Sequence, residues 1–178
     1  MLRVLDVGDN KLENVPIELF SCTMLEQLVM YNNQLLGPQL QQLLTSIDGA
    51  VPWCPHLEVV ICSNCGLTEL PFVFLLCTHL TRLDLYNNHI ASIPAEIRNL
   101  KKLKELYLYD NDIQYTDSGL FACEQLEILA LQNNPGMGPQ FQSMCGSIEE
   151  SRPVLPRLRV LMMANCGLSI LPALITRF

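Results

Sequence analysis

The chain has 178 residues, of which 49% are hydrophobic and 16% charged, with a net charge of -7. That length and apolar content support one domain with a real core and exclude a disordered chain. The acidic balance argues against nucleic acid as a partner, and the longest strongly apolar run, Phe72 to Cys77, is far too short for membrane insertion.

The 33 leucines and 12 asparagines point to an internal repeat. The pattern L-x-x-L-x-L-x-x-N-x-L starts at Leu2, Leu25, Leu57, Leu80, Leu103, Leu126 and Leu158. Seven units therefore tile residues 1–178 as a single domain. Each L-x-L predicts a short strand whose leucines face inward while the flanking residues face out. An asparagine (Asn10, Asn33, Asn88, Asn111, Asn134) then turns the chain, its amide bonding backbone groups of its own and the next turn. Pro16, Pro71, Pro94 and Pro172 start a helical or 3₁₀ turn in their units, and the fifth unit has Thr116-Asp117 instead. The second and sixth units run to 32 residues rather than 23 and carry insertions near residues 37–56 and 138–157. The two insertions match at an offset of 101 residues: Gly37-Pro38-Gln39 corresponds to Gly138-Pro139-Gln140, and Asn64-Cys65-Gly66-Leu67 downstream to Asn165-Cys166-Gly167-Leu168. The chain thus reads as a duplicated block of four repeats. Gly-Pro starts, with stripes of Leu40, Leu43, Leu44 and Ile47 and of Phe141, Met144, Cys145 and Ile148, predict two convex-side helices. Trp53, after the first of them, is expected to cover core, and the apolar run from Phe72 to be covered by the neighbouring helix.

These repeats resemble those of leucine-rich repeat proteins, and the 23-residue units with Ile-Pro or Leu-Pro resemble the intracellular class found in Ras-pathway and cell-polarity scaffolds. The resemblance implies an α/β fold, a right-handed curved solenoid with a parallel sheet on its concave face and short helices or 3₁₀ turns on its convex face. Leu2 begins a repeat at once and Phe178 holds a core phase, so the chain is expected to be a segment of a longer solenoid, or to self-associate through uncapped ends.

The eight cysteines follow the repeat phase. Cys22, Cys54, Cys77 and Cys123 sit three residues before the next unit's first leucine, and Cys65 and Cys166 occupy the asparagine column. Cys62 is an inward strand position, and Cys145 lies on the second insertion stripe. All are expected to be buried, reduced thiols, which favours a reducing, cytoplasmic setting. Cys62 and Cys65 are spaced C-x-x-C, but nothing supplies a zinc site's remaining ligands. Asp110-Asn111-Asp112 lacks the rest of a calcium loop. No phosphate loop, nucleotide fingerprint or phased nucleophile is present, so no enzyme, cofactor or metal is expected.

The outward strand positions fall into three columns: Val4, Gln27, Val59, Arg82, Glu105, Ile128, Val160; then Asp6, Val29, Ile61, Asp84, Tyr107, Ala130, Met162; then Gly8, Tyr31, Ser63, Tyr86, Tyr109, Gln132, Ala164. Four of the five tyrosines lie among them. Tyr86, Tyr107 and Tyr109 are expected to cluster beside Arg82, Asp84 and Glu105, exposed in the free protein, with Tyr31 on the same face. Aromatics beside an arginine suit a protein-binding hot spot. The expected function is a non-catalytic interaction module, a signalling scaffold or adaptor that grips a protein partner there. The alternatives are the regulatory arm of a larger kinase, GTPase or phosphatase, or a structural component of a cytoskeletal or axonemal assembly.

Overall fold

The computed structural model describes residues 2–43, 54–146 and 154–177. Seven three-residue strands form one parallel sheet: β1 (Val4–Asp6), β2 (Gln27–Val29), β3 (Val59–Ile61), β4 (Arg82–Asp84), β6 (Glu105–Tyr107), β8 (Ile128–Ala130) and β9 (Val160–Met162), in chain order across the sheet. The register matches the repeat phase, with Val4 beside Gln27, then Val59, Arg82, Glu105, Ile128 and Val160. A 23- or 32-residue step therefore ends at the same place in the sheet, and the longer units leave the pairing undisturbed. Strands β5 (Ser92–Ile93) and β7 (Tyr115–Thr116) form a second, two-stranded parallel sheet.

Each turn buries what a lone turn would expose. Leu28, Val60, Leu83, Leu106 and Leu129 stack inward at the strand centres, at most 1% exposed. Opposite them, 3₁₀ turns follow Pro16 (Ile17–Ser21), Pro94 (Ala95–Asn99) and Pro172 (Ala173–Arg177), and Pro71 caps the short helix α2 (Phe72–Leu75). Where proline is missing, Asp117 caps the turn Ser118–Ala122, its carboxylate accepting from the Gly119 N–H at 2.7 Å. Within α2, Val73, Phe74 and Leu75 are buried, with Phe74 against Phe20 at 6.4 Å, while Phe72 stays 44% exposed.

The asparagine ladder runs toward the preceding turn rather than the next. Asn111 accepts from the Ile90 N–H at 2.9 Å and donates to the carbonyls of Leu85 and Leu108; Asn134 does the same with Ile113, Leu108 and Leu131. The amide reaches back because its own strand has just ended and the open carbonyl lies one turn upstream. The residue just before the ladder position has a left-handed backbone in all seven turns: Asp9, Asn32, Asn64, Asn87, Asp110, Asn133 and Asn165, with φ between 51° and 59°. Asp and Asn tolerate that conformation best among residues with a side chain.

Both insertions open as helices, α1 (Gly37–Gln42) and α3 (Gly138–Gly146). Their glycines are required by contact: a Cβ on Gly37 would strike the Gly66 carbonyl, and one on Gly138 the Gly167 carbonyl. Leu40, Leu43 and Phe141 are buried as the stripes predict. Leu44, Ile47, Trp53, Ile148 and Phe178 lie outside the described residues, as do the side chains of Met144 and Cys145.

Candidate functional site

The outward face of the sheet is formed by side chains that alternate with the buried leucines. Its densest part lies on β4 and β6, where Arg82 pairs with Glu105 and Asp84 with Tyr107 in the register. The Arg82 guanidinium contacts Asp84 Oδ2 at 3.1 Å and Glu105 Oε2 at 3.4 Å, and lies 4.9 Å from the centre of the Tyr107 ring. The Tyr107 hydroxyl donates to Glu105 Oε2 at 3.1 Å. Two residues beyond each strand, Tyr86 and Tyr109 stack with ring centres 4.6 Å apart and planes 5° from parallel. The five-ångström strand spacing places such rings in contact.

Six of the seven predicted residues thus share one patch. Tyr31 stands apart: its ring packs over Gly8, toward the first turn. Nor is the patch as exposed as the alternation suggests. Arg82, Tyr86, Glu105, Tyr107 and Tyr109 are half-buried against each other, and Asp84 is only 6% exposed. Alternation decides which face a side chain occupies, but large neighbours at strand spacing then cover one another.

Burial sets the electrostatics. It raises the Asp84 carboxyl above its ordinary value, outweighing the hydrogen bond and charge of Arg82. Burial opposes the Arg82 charge too, but Asp84, Tyr107 and Glu105 together hold it above its ordinary value. The Tyr107 and Tyr109 phenols are pushed up, first by burial and then by neighbouring carboxylates. Arg82, Asp84, Glu105 and Tyr107 are thus linked by ion pairs and a hydrogen bond, and Tyr86 and Tyr109 by ring stacking.

Two unmet acceptor atoms on this face escaped the sequence reading. Asp84 Oδ1 and Gln132 Oε1 are buried with no hydrogen-bond partner. Gln132 was placed by phase in the third outward column, but nothing in a single sequence signals an unmet hydrogen bond.

The other chemistry-bearing residues are accounted for by packing. Among the described residues, seven cysteines are free thiols, six of them buried, with Cys22 only partly so. Burial pushes Cys54 up to about 11 and Cys77 and Cys123 up to about 12. A hydrogen bond between the C-x-x-C thiols raises Cys62 and lowers Cys65, and Cys65 Sγ donates to the Met30 carbonyl at 3.1 Å. Asp110 accepts from Asn133 at 2.6 Å and Asp112 meets His89 at 3.2 Å. Among the described residues, no three His, Cys, Asp or Glu side chains group to hold a metal, and no helix is long and apolar enough to cross a membrane.

Comparison with known proteins agrees with this architecture. The family Leucine Rich repeats (2 copies) matches residues 55–99 and 78–119. The chain is 36% identical over 121 residues to Leucine-rich repeat-containing G-protein coupled receptor 5A of Xenopus laevis, a match over 65% of this chain and 13% of the receptor. Among solved structures, the functional domain of InlJ from Listeria monocytogenes superposes with a TM-score of 0.65 at 18% identity, covering 96% of this chain and 36% of that one. A plant peptide hormone receptor, RGFR1 in complex with RGF2, superposes at 0.55 with 20% identity, covering 93% of this chain and 31% of the receptor. The chain therefore spans only a small part of the length of the relatives it matches. Leucine repeats in register, an asparagine ladder at each turn, a parallel sheet and these matches together show a leucine-rich repeat solenoid, with the family's repeats matched over residues 55–119.

Proposed function

We propose that this chain is a non-catalytic interaction module that grips a protein partner on its concave face, acting as a scaffold or adaptor. Leucine-rich repeat domains generally mediate protein–protein interaction, so the question specific to this chain is where the partner sits. The observation that carries the answer is the preorganised patch of Arg82, Asp84, Tyr86, Glu105, Tyr107 and Tyr109. Its aromatics are already stacked and its arginine already held by two carboxylates. Such a surface loses little side-chain freedom on binding, which is what a hot spot requires. Tyr31, farther along the same face, extends the contact area. The free, buried thiols support a reducing, cytoplasmic setting.

The test is the double variant Tyr86→Ala with Tyr109→Ala. Losing the stack should cost folding only about 1–2 kcal/mol in total, since the rings are half-buried and an aromatic pair contributes about 0.5–1.5 kcal/mol beyond its area. Native partners, identified by crosslinking to the wild-type chain, should no longer be captured. A stable double variant that captures every partner would move the site off this face.

A further inference from the structure

The patch holds an acid that the fold does not need. Asp84 occupies the central outward column between Ile61 of β3 and Tyr107 of β6, with its side chain 8% exposed. The same column carries Val29, Ile61 and Ala130 on other strands, so an apolar residue satisfies the sheet there. Oδ2 is held by Arg82, and the Tyr86 backbone N–H favours the charged form. Oδ1 is buried with no hydrogen-bond partner. Leaving a carboxylate oxygen desolvated and unpaired destabilises the free protein, and a donor from outside would relieve that cost.

The surroundings identify the donor. Arg82 is the single cation shared by Asp84 and Glu105, so the cluster keeps one excess negative charge, on a chain of net charge -7. Gln132 Oε1, in the column position after Tyr109, is a second buried acceptor that lacks a donor. The stacked rings of Tyr86 and Tyr109 add aromatic surface, which attracts cations. Arg82 Nε is a buried donor without an acceptor, and a backbone carbonyl would meet it.

We propose that this patch receives a cationic side chain from a basic segment of the protein partner, its N–H groups bonding Asp84 Oδ1 beside the Tyr86–Tyr109 stack. The inference rests on the concave-face reading above and narrows the partner to one that presents a guanidinium or ammonium group. A backbone carbonyl of the same segment accepts from Arg82 Nε.

The test titrates the full chain with an end-blocked hexa-arginine peptide, followed by amide chemical shifts, at physiological salt so that diffuse attraction to an acidic protein is screened. Shifts are expected to centre on Asp84, Tyr86, Tyr107 and Tyr109, and the uncharged hexa-citrulline peptide should produce none. Asp84→Asn keeps the shape and removes the charge, and should weaken hexa-arginine binding at least tenfold. Glu96→Gln, which removes the same charge from an exposed 3₁₀ turn, should change it less than twofold. Shifts scattered along the acidic rim, or equal effects of the two variants, would overturn the proposal. If Asp84→Asn does not fold, the wild-type shift map decides alone, and a map centred elsewhere overturns it. If Tyr86→Ala with Tyr109→Ala abolishes native partner capture while Asp84→Asn leaves hexa-arginine binding intact, the cation inference falls and the concave-face reading stands.

Discussion

The first block of repeats and the second, offset by 101 residues, are duplicated where side chains hold the solenoid together and divergent where they face out. Gln39 clamps both backbone groups of Val15 at 3.2 and 3.0 Å, and Gln140 clamps Thr116 at the same two distances. Cys65 Sγ donates to the Met30 carbonyl at 3.1 Å and Cys166 Sγ to the Leu131 carbonyl at 3.0 Å. On the rim, Asp9, Asn32 and Asn64 form a hydrogen-bonded chain, repeated by Asp110, Asn133 and Asn165. The outward columns keep none of this correspondence around the patch. Asp6 stands opposite Tyr107, Gly8 opposite Tyr109 and Val4 opposite Glu105. The charged aromatic cluster straddles the junction between blocks, on β4 and β6, and its β6 half is not repeated on β1. Repetition marks what the architecture requires. The face that departs from it is where a property particular to this chain resides.

The largest effect that would break this comparison concerns the ladder. Asn134→Ala should cost about 3–5 kcal/mol in denaturant unfolding, because it strands the buried Ile113 N–H and takes one of two donors from each of the Leu108 and Leu131 carbonyls. Its counterpart Asn33→Ala should cost the same or somewhat less, since Leu12, whose N–H it accepts from, is partly exposed. Costs that differ by more than twofold would mean the blocks are not energetically equivalent. The glutamine clamps come next: Gln39→Ala and Gln140→Ala should each cost about 1–2 kcal/mol, two part-buried hydrogen bonds apiece. Unequal losses there would locate strain in one insertion.

The thiols sharpen the comparison through pH. Cys54 and Cys77, at about 11 and 12, follow two first-block turns, and Cys123, at about 12, follows one second-block turn. Folding raises each above the ordinary thiol value of 9.0, so their contribution is complete below pH 9 and is lost as pH rises toward 11–12. The melting temperature should fall over that window, and Cys54→Ala with Cys77→Ala should flatten the slope more than Cys123→Ala. A flat profile in the wild-type chain would contradict the burial assigned to these thiols. The smallest effect belongs to the surface: Arg3→Ala, breaking an exposed 3.2 Å pair with Glu26, should change stability by less than about 1 kcal/mol.

Much of this molecule was legible in its sequence because a solenoid is local. Leu83, Leu85, Leu106 and Leu108 repeat at a period that fixes strand, face and neighbour together. The register of the sheet, the columns of outward residues and the core phase of the cysteines therefore followed from counting along the chain. The paired Gly-Pro starts of α1 and α3 were legible in the same way, through the offset of the duplication.

Tertiary structure alone decided what depends on distances between turns. Period and alternation place Asp84 and Tyr86 on the outward face, but only contact with Arg82, Tyr107 and Tyr109 determines that the acid is buried and the rings half-covered. The same holds for Tyr31, which leans over Gly8 because the missing side chain there leaves room. It holds for the direction of the asparagine ladder, since either adjacent turn could have offered the carbonyl. Composition and phase determine which groups meet a surface. Whether a given oxygen on it finds a donor is a matter of ångströms, and those are set by the packing of one turn on the next.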